Sequence, residues 1–169
     1  MLLWILVIIG VITLDQVSKL LALAFLRGGD SVVIINKILR LTYVENRGAA
    51  FGMLDDKRWI FMILSTIGIA AMAVFLFKFA KCSKLLSVSL SFVIGGGIGN
   101  MIDRIFLGYV IDMIDCRFID FYVFNFADSC VCVGAGMVAL GFILSAIKEY
   151  KKKKAKAEMT DTVGDSHDK

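Results

Sequence analysis

Three long apolar runs without a charged residue constrain the fold of this chain more than any other feature. They are residues 59–77, 85–102 and 129–147. Each is close to the roughly 20 residues that an α-helix needs to cross the hydrocarbon core of a bilayer. Hydrophobic residues make up 59% of the 169 positions, which is above the share in an ordinary soluble domain. The sequence therefore predicts an integral membrane protein.

A further span is predicted over residues 1–26, although Asp15 and Lys19 interrupt it. Their four-residue spacing places both side chains on one face of a helix, where they can pair. The alternative is a cleaved signal peptide, but no basic residue precedes the apolar stretch and no small-residue cleavage site directly follows it. We therefore expect a mainly α-helical membrane protein with four transmembrane helices, over about 1–26, 59–77, 85–105 and 128–147.

The lysines predict the orientation of these helices. Basic residues cluster between the second and third spans and again after the fourth, and the positive-inside rule assigns both clusters to the cytoplasm. The first cluster is Lys78, Lys81 and Lys84, and the second runs from Lys148 to Lys156. We expect both termini to be cytoplasmic and the connections 27–58 and 103–128 to face outward. Residues 1–150 then form one membrane domain, followed by a basic, disordered cytoplasmic tail over 151–169.

The first outward connection contains two short segments typical of β-strands. Residues 32–35 and 38–44 are rich in β-branched and aromatic residues, and part of the second alternates apolar with polar side chains. We predict a small extracytoplasmic β-sheet between the first and second helices, amphipathic enough to lie on the bilayer surface. The segment Asn46–Gly52 follows, and its small side chains would let another backbone approach closely. An ordinary turn is the alternative interpretation of that segment.

Polar groups of several spans are predicted to lie at one depth of the bilayer. Asn100 and Arg104 fall in the outer part of the third span, and the Asp15 and Lys19 pair falls at a similar height in the first. Ionisable groups in hydrocarbon are costly unless they are paired or functional, so these residues are expected to surround one site. Gly95 and Gly99 form a small-xxx-small pair that would let helices pack closely.

Asp112 and Asp128 are the two acids expected to carry chemistry at this site. If the second outward connection brings them together, repulsion between two carboxylates favours a single shared proton. One carboxylate can then take a proton from water while the other, protonated, polarises a scissile carbonyl. The alternative is that Asp112 is a solvated loop acid and Asp128 a helix N-cap. His167 is the only histidine and lies in the tail, so we predict no metal or other cofactor.

Five motifs follow one another along the chain: Asp15–Lys19, Asn46–Gly52, Gly96–Arg104, Val110–Asp112 and Phe124–Asp128. In this order they resemble the motifs of lipoprotein signal peptidase, also called signal peptidase II, of the bacterial cytoplasmic membrane. The resemblance implies that Asp112 and Asp128 are the catalytic pair of an aspartic endopeptidase. It also implies five substrate-binding residues: Asn46, Gly48, Asn100, Arg104 and Asn125. The residues Asp15, Lys19 and Asp103 match positions that support structure. Met113 departs from the family pattern, which usually has an aromatic residue there.

The resemblance further implies the substrate and the setting of the reaction. The substrate would be a prolipoprotein whose cysteine carries a diacylglyceryl group, cut on the amino side of that cysteine. We expect a monomer that contacts membrane lipid and no nucleic acid, with its active site towards the extracytoplasmic face. The alternatives are a proton-coupled transporter using intramembrane acids, and a noncatalytic lipid-binding scaffold. The acids lie on one side of the bilayer and no inverted repeat is visible, which disfavours a transporter.

Overall fold

Four helices and a three-stranded sheet make up the described part of the chain. The structure is a computed structural model that describes residues 2–48, 58–79, 83–119 and 121–164. The elements in chain order are α1 (Leu2–Phe25), β1 (Val32–Ile35), β2 (Leu39–Asn46), α2 (Arg58–Phe79), α3 (Lys84–Phe106), β3 (Val110–Cys116) and α4 (Phe126–Gly164). The mainly helical prediction is confirmed.

Three of the helices are long and apolar enough to cross a membrane. They are α1, α3 and the Phe126–Lys154 part of α4, whereas α2 contains a shorter apolar stretch, Met62–Lys78. Helix α3 lies at the centre, since it packs against each of the other three helices. Large apolar side chains on the outer helices are exposed, among them Leu3, Leu64 and Phe142. Such a surface suits contact with lipid tails rather than water.

Close packing around α3 depends on three of its glycines. A methyl group on Gly95 would meet the Cβ of Val11 in α1 at 2.8 Å, and one on Gly99 would meet the carboxyl carbon of Asp15 at 3.0 Å. A methyl group on Gly96 would meet the carbonyl of Ala127 at 2.5 Å. The glycines therefore let α1 and α4 approach the α3 backbone, as the small-xxx-small spacing predicted.

The sheet corrects one sequence prediction. Strands β1 and β2 form the expected hairpin, but a third strand, β3, comes from the connection between α3 and α4 and pairs antiparallel with β2. Asp112 lies on this third strand. Helix α3 ends at Phe106 because Gly108, at φ 83°, turns the chain away while its N–H still bonds the Asp103 carbonyl. That the sheet lies on the extracytoplasmic side of the membrane remains a prediction.

One predicted segment differs from the structure, and another lies partly outside the described residues. Helix α4 continues to Gly164, so residues 151–164 are helical where the sequence predicted a disordered tail. The division into a membrane domain and a tail remains a prediction. The part of the Asn46–Gly52 motif beyond Gly48 lies outside the described residues, as does His167.

Candidate active site

Asp112 is held in the middle of β3 and is almost completely buried. It lies opposite Val44 of β2, and its side chain is 1% exposed. Asn46, at the end of β2, donates a hydrogen bond from Nδ2 to Asp112 Oδ2 at 2.9 Å. Because neighbouring residues of a strand point to opposite faces, Ile111 and Met113 point away from Asp112 and pack with Ala22 of α1. The departure at Met113 therefore lies on the other side of the sheet from the carboxyl group.

Asp128 lies in the first turn of α4, where it forms a reciprocal cap with Asn125. The Asp128 N–H donates to Asn125 Oδ1 at 2.9 Å, and the Asn125 N–H donates to Asp128 Oδ2 at 3.2 Å. This is a capping box with asparagine as the N-cap and aspartate three residues later. Asp128 is therefore not the N-cap itself. Its other oxygen, Oδ1, accepts a hydrogen bond from Asn100 Nδ2 of α3 at 2.8 Å.

The Asn125 side chain joins the two aspartates. Its Nδ2 donates to Asp112 Oδ1 at 2.6 Å and to Asn100 Oδ1 at 3.0 Å, while its Oδ1 serves the cap of α4. The residue is fully buried, so each of these bonds forms away from bulk water. Through Asn125 the structure brings Asp112 and Asp128 into one hydrogen-bonded cluster with Asn46 and Asn100.

Lys19 of α1 forms the base of this cluster. Its ammonium group lies 2.8 Å from Asp15 Oδ2 and 2.9 Å from Asp103 Oδ2, and it donates to Asn100 Oδ1 at 2.8 Å. The predicted pairing of Asp15 with Lys19 is present, and Asp103 pairs with Lys19 rather than with Arg104. All three charged groups are buried, at 3% exposure or less. A buried cation with three acceptors fixes the relative positions of α1 and α3.

The two acids beside Lys19 also fix the elements that carry the aspartates. Asp15 Oδ1 accepts the N–H of Ala127, next to Asp128, at 3.0 Å. Asp103 Oδ2 accepts the N–H of Ile111, next to Asp112, at 3.1 Å. Each acid thus holds the backbone beside one member of the Asp112 and Asp128 pair.

Gln16 is part of this network, although the sequence argument gave it no role. Its Nε2 lies 3.0 Å from Asp103 Oδ1, 3.1 Å from the Gly99 carbonyl and 3.2 Å from Asp15 Oδ2. Its position between Asp15 and Lys19, which pair with each other, was the sequence feature that could have indicated a role. The side chain completes the contact of α1 with α3.

Arg104 and Gly48 border the cluster. Arg104 is half-buried, its Nη1 lies 3.3 Å from the Asn100 carbonyl, and its charge interacts with those of Asp128, Asp112 and Asp103. The Gly48 N–H donates to Asn46 Oδ1 at 3.2 Å. All ten sequence-predicted site residues therefore belong to one region, where α1, α3, α4 and the sheet meet.

Burial is the main influence on the charge of Asp112. It raises the pKa of this carboxyl to about 6, since the ionised form loses its hydration. The hydrogen bond from Asn46 opposes the rise in pKa, and the nearby charge of Asp128 adds to it.

Among the residues that the structure describes, no cluster of three or more His, Cys, Asp or Glu side chains could hold a metal ion.

Known proteins are similar to this chain in both sequence and fold. The family model described as signal peptidase (SPase) II matches residues 7–144. A lipoprotein signal peptidase of Halothermothrix orenii is 41% identical over 79% of this chain and 90% of its own length. That of Halalkalibacterium halodurans is 37% identical over 86% of this chain and 94% of its own length. A bacterial membrane enzyme solved by the in meso method at 2.3 Å has a TM-score of 0.79 and 33% identity, covering 85% of this chain and 88% of its own.

Proposed function

Because the chain belongs to the signal peptidase II family, we propose that it is an aspartic peptidase in which Asp112 and Asp128 are the catalytic pair. Its activity is the cleavage of lipoprotein signal peptides. The single observation that carries the catalytic assignment is the Asn125 side chain, which donates to Asp112 while capping the turn that holds Asp128. No comparison favours the proton-coupled transporter.

The charges of the cluster support a shared proton. Four buried or half-buried carboxyl groups, those of Asp15, Asp103, Asp112 and Asp128, face two cations, Lys19 and Arg104. A proton on one carboxyl reduces the excess of negative charge in a site with little water. We assign that proton to Asp112, which is the more buried of the pair. Asp128, which is only half-buried, is then the acceptor for a proton from water.

This assignment gives each aspartate a role in hydrolysis. Asp128 takes a proton from a water molecule as the water oxygen attacks the scissile carbonyl carbon, and Asp112 donates its proton to the carbonyl oxygen. The tetrahedral intermediate then collapses. The peptide C–N bond breaks, the leaving nitrogen receives the proton held by Asp128, and the hydroxyl proton returns to Asp112. Both carboxyl groups end in their starting states, and no covalent intermediate with the enzyme forms.

The neighbouring polar groups suit an extended peptide. Arg104 is half-buried beside the pair and has further N–H donors for a substrate carbonyl. Asn46 ends β2, the strand beside Asp112, and Gly48 follows it, so a peptide crossing the pair would pass both residues. A peptide held at bilayer depth has no water for its backbone groups, so these donors and acceptors contribute to binding.

The proposed substrate is a prolipoprotein cut on the amino side of a cysteine that bears a diacylglyceryl group. Its acyl chains would remain in the bilayer beside the exposed apolar helix faces. We further propose four membrane spans, cytoplasmic termini, a site towards the extracytoplasmic face and a monomeric enzyme. The basic residues after the second and fourth spans support that orientation.

The catalytic assignment is tested with Asp112→Asn and Asp128→Asn. Each variant should fail to cleave a synthetic diacylglyceryl precursor, with product measured by mass, while the protein is still inserted in the membrane. Asp115→Asn is the matched control, because this buried aspartate lies on the same strand but bonds to Arg40. Undiminished cleavage by either catalytic variant would rule out the pair.

A further inference from the structure

The β1 strand is an exposed apolar edge. Its four residues, Val32 to Ile35, are 48%, 61%, 53% and 50% exposed, and Ile38 in the following turn is 46% exposed. A contiguous exposed apolar strand at a sheet edge marks a contact surface. The strand begins shortly after α1 ends, so it stays near the end of a helix that can cross a membrane.

A groove beside this strand combines apolar and cationic side chains. It has a volume of about 470 Å³ and is lined by Val33, Ile35 and Leu39 together with Lys37, Arg40 and Arg117. The Arg117 N–H donates to the Ile38 carbonyl at 2.8 Å, which fixes the end of β3 against the hairpin turn.

The groove carries more positive than negative charge. Asp115 Oδ2 lies 2.6 Å from Arg40 Nε and 3.8 Å from Arg117 Nη1, so a single carboxylate serves two guanidinium groups. Within the described ranges, Lys37 has no ion pair of its own. Three cations and one anion leave two positive charges at an apolar rim.

The backbone at Lys37 supports a functional role for this lysine. Lys37 has φ 59°, in the left-handed region where glycine or asparagine is usual. The turn closes with a hydrogen bond from the Ile38 N–H to the Ile35 carbonyl at 3.0 Å. A lysine that adopts a strained conformation at a turn is an outlier from which a function can be inferred.

We propose that this groove binds the headgroup of an anionic phospholipid from the surrounding membrane. The phosphate would lie between Lys37 and Arg117, since guanidinium groups match phosphate geometry and lysine adds a point charge. An acyl chain would follow the exposed side chains of Val33 and Ile35. The groove is at the opposite end of β3 from Asp112, about 16 Å away for five residues of strand. The inference does not rest on the proposed peptidase mechanism.

The test compares two lipids on the purified full chain in a neutral detergent. Titration with a short-chain phosphatidylglycerol should show saturable binding, and the same titration with phosphatidylcholine should be much weaker. The double variant K37Q/R117Q should weaken phosphatidylglycerol binding about 30-fold, as expected for the loss of two interfacial cations. K84Q removes one charge at the start of α3 and should leave the dissociation constant unchanged.

A pair of variants at position 37 separates lipid binding from stability. Lys37→Gly removes the charge and also relieves the left-handed backbone, whereas Lys37→Gln removes the charge alone. Both should weaken phosphatidylglycerol binding equally, while only Lys37→Gly should raise the Tm.

Three results would overturn the proposal. They are equal affinity for the two lipids, unchanged affinity in K37Q/R117Q, and competition by inorganic phosphate as strong as that by phosphatidylglycerol. The last would identify a free-phosphate site. If K37Q/R117Q raised the KM for a lipoprotein precursor without changing lipid affinity, the groove would be a peptide site instead.

Discussion

The ammonium group of Lys19 lies 2.8 Å from Asn100 Oδ1, and this contact determines which way the Asn100 amide faces. With its oxygen held by Lys19 and by Asn125, the amide must direct its nitrogen towards Asp128, where Nδ2 and Oδ1 are 2.8 Å apart. An amide in the opposite orientation would place two donors against each other. Lys19 of α1 thus orients the Asn100 amide that donates to Asp128 of α4.

Lys19→Met is expected to impair both stability and activity. Asp15 and Asp103 would lose their buried counterion, which typically destabilises a protein by about 3–5 kcal/mol. Release of Asn100 would also disturb Asp128, and a misplaced catalytic group can reduce kcat about 100-fold. Thermal unfolding and precursor cleavage measure the two effects. Lys84→Met, at an exposed helix start, should change stability by no more than about 0.5 kcal/mol.

The pH dependence of kcat/KM should report the proton on Asp112. Burial raises the pKa of Asp112 to about 6, so the protonated form required by the proposed mechanism is lost as pH rises through that value. Asn46→Ala removes a hydrogen bond that lowers this pKa, so the basic limb of the profile should move to higher pH. Asn36→Ala, in the β1–β2 turn, should leave the limb in place. A basic limb at the same pH in Asn46→Ala and the parent would contradict the assignment of the proton to Asp112.

The free energy of unfolding should also depend on whether Asp112 is protonated. The pKa of Asp112 is higher in the folded protein than its usual value of 3.8, so the folded state binds the proton more tightly. The resulting stabilisation is fully present below about pH 4 and is lost as pH rises through about 6. Unfolding measured from pH 4 to pH 7 should show a smaller dependence on pH in Asp112→Asn than in the parent protein. Identical slopes would mean that Asp112 does not titrate in this range.

Gly99→Ala should destabilise the protein by about 1–3 kcal/mol, the usual cost of overpacking. The added methyl group would meet the Asp15 carboxyl, whose carbon lies 3.0 Å from the ideal Cβ position, and would push α1 from α3. Gly136→Ala is the matched control in α4, where nothing lies within 4 Å of the added atom. That change should be neutral or stabilising by up to about 1 kcal/mol. Equal unfolding temperatures for the two variants would contradict the packing argument.

Two substitutions of Asn125 separate its capping role from its contact with Asp112. Serine keeps an oxygen that can cap α4, whereas alanine does not, so Asn125→Ala should be less stable than Asn125→Ser by about 1 kcal/mol. Both lack the Nδ2 that donates to Asp112 and Asn100, and both should lose cleavage activity. An active Asn125→Ser enzyme would show that the cap alone is sufficient.

The helices and the first hairpin were predictable because their signals are local. Uncharged runs gave α3 and α4 to within a few residues at their starts, and β-branched residues gave β1 with the observed bounds. The sequence also indicated that Asp15 and Lys19 would pair, since four residues span one helical turn.

Strand β3 was missed because its burial hides the period of a strand. Five of its seven residues are buried, including both aspartates, so apolar and polar side chains do not alternate as they do on a half-exposed strand. Gly108, followed by the β-branched residues Val110 and Ile111, was the available signal that the helix ends and a strand begins.

The capping box of Asn125 and Asp128 was missed for a different reason. It is a reciprocal contact that becomes visible only when the first residue of α4 is known to be Phe126.

The uneven anchoring of α4 has a consequence for bilayers of different thickness. Its first turn is hydrogen-bonded to α1 and α3 through Asp15 and Asn100, whereas its later turns pack mainly on α3 and expose apolar side chains such as Phe142. A helix that is too long or too short for its membrane adjusts by tilting. Because Gly134 of α4 lies directly against the backbone of α3, α4 should tilt together with α3, so Asp128 should keep its hydrogen bonds in membranes of different thickness.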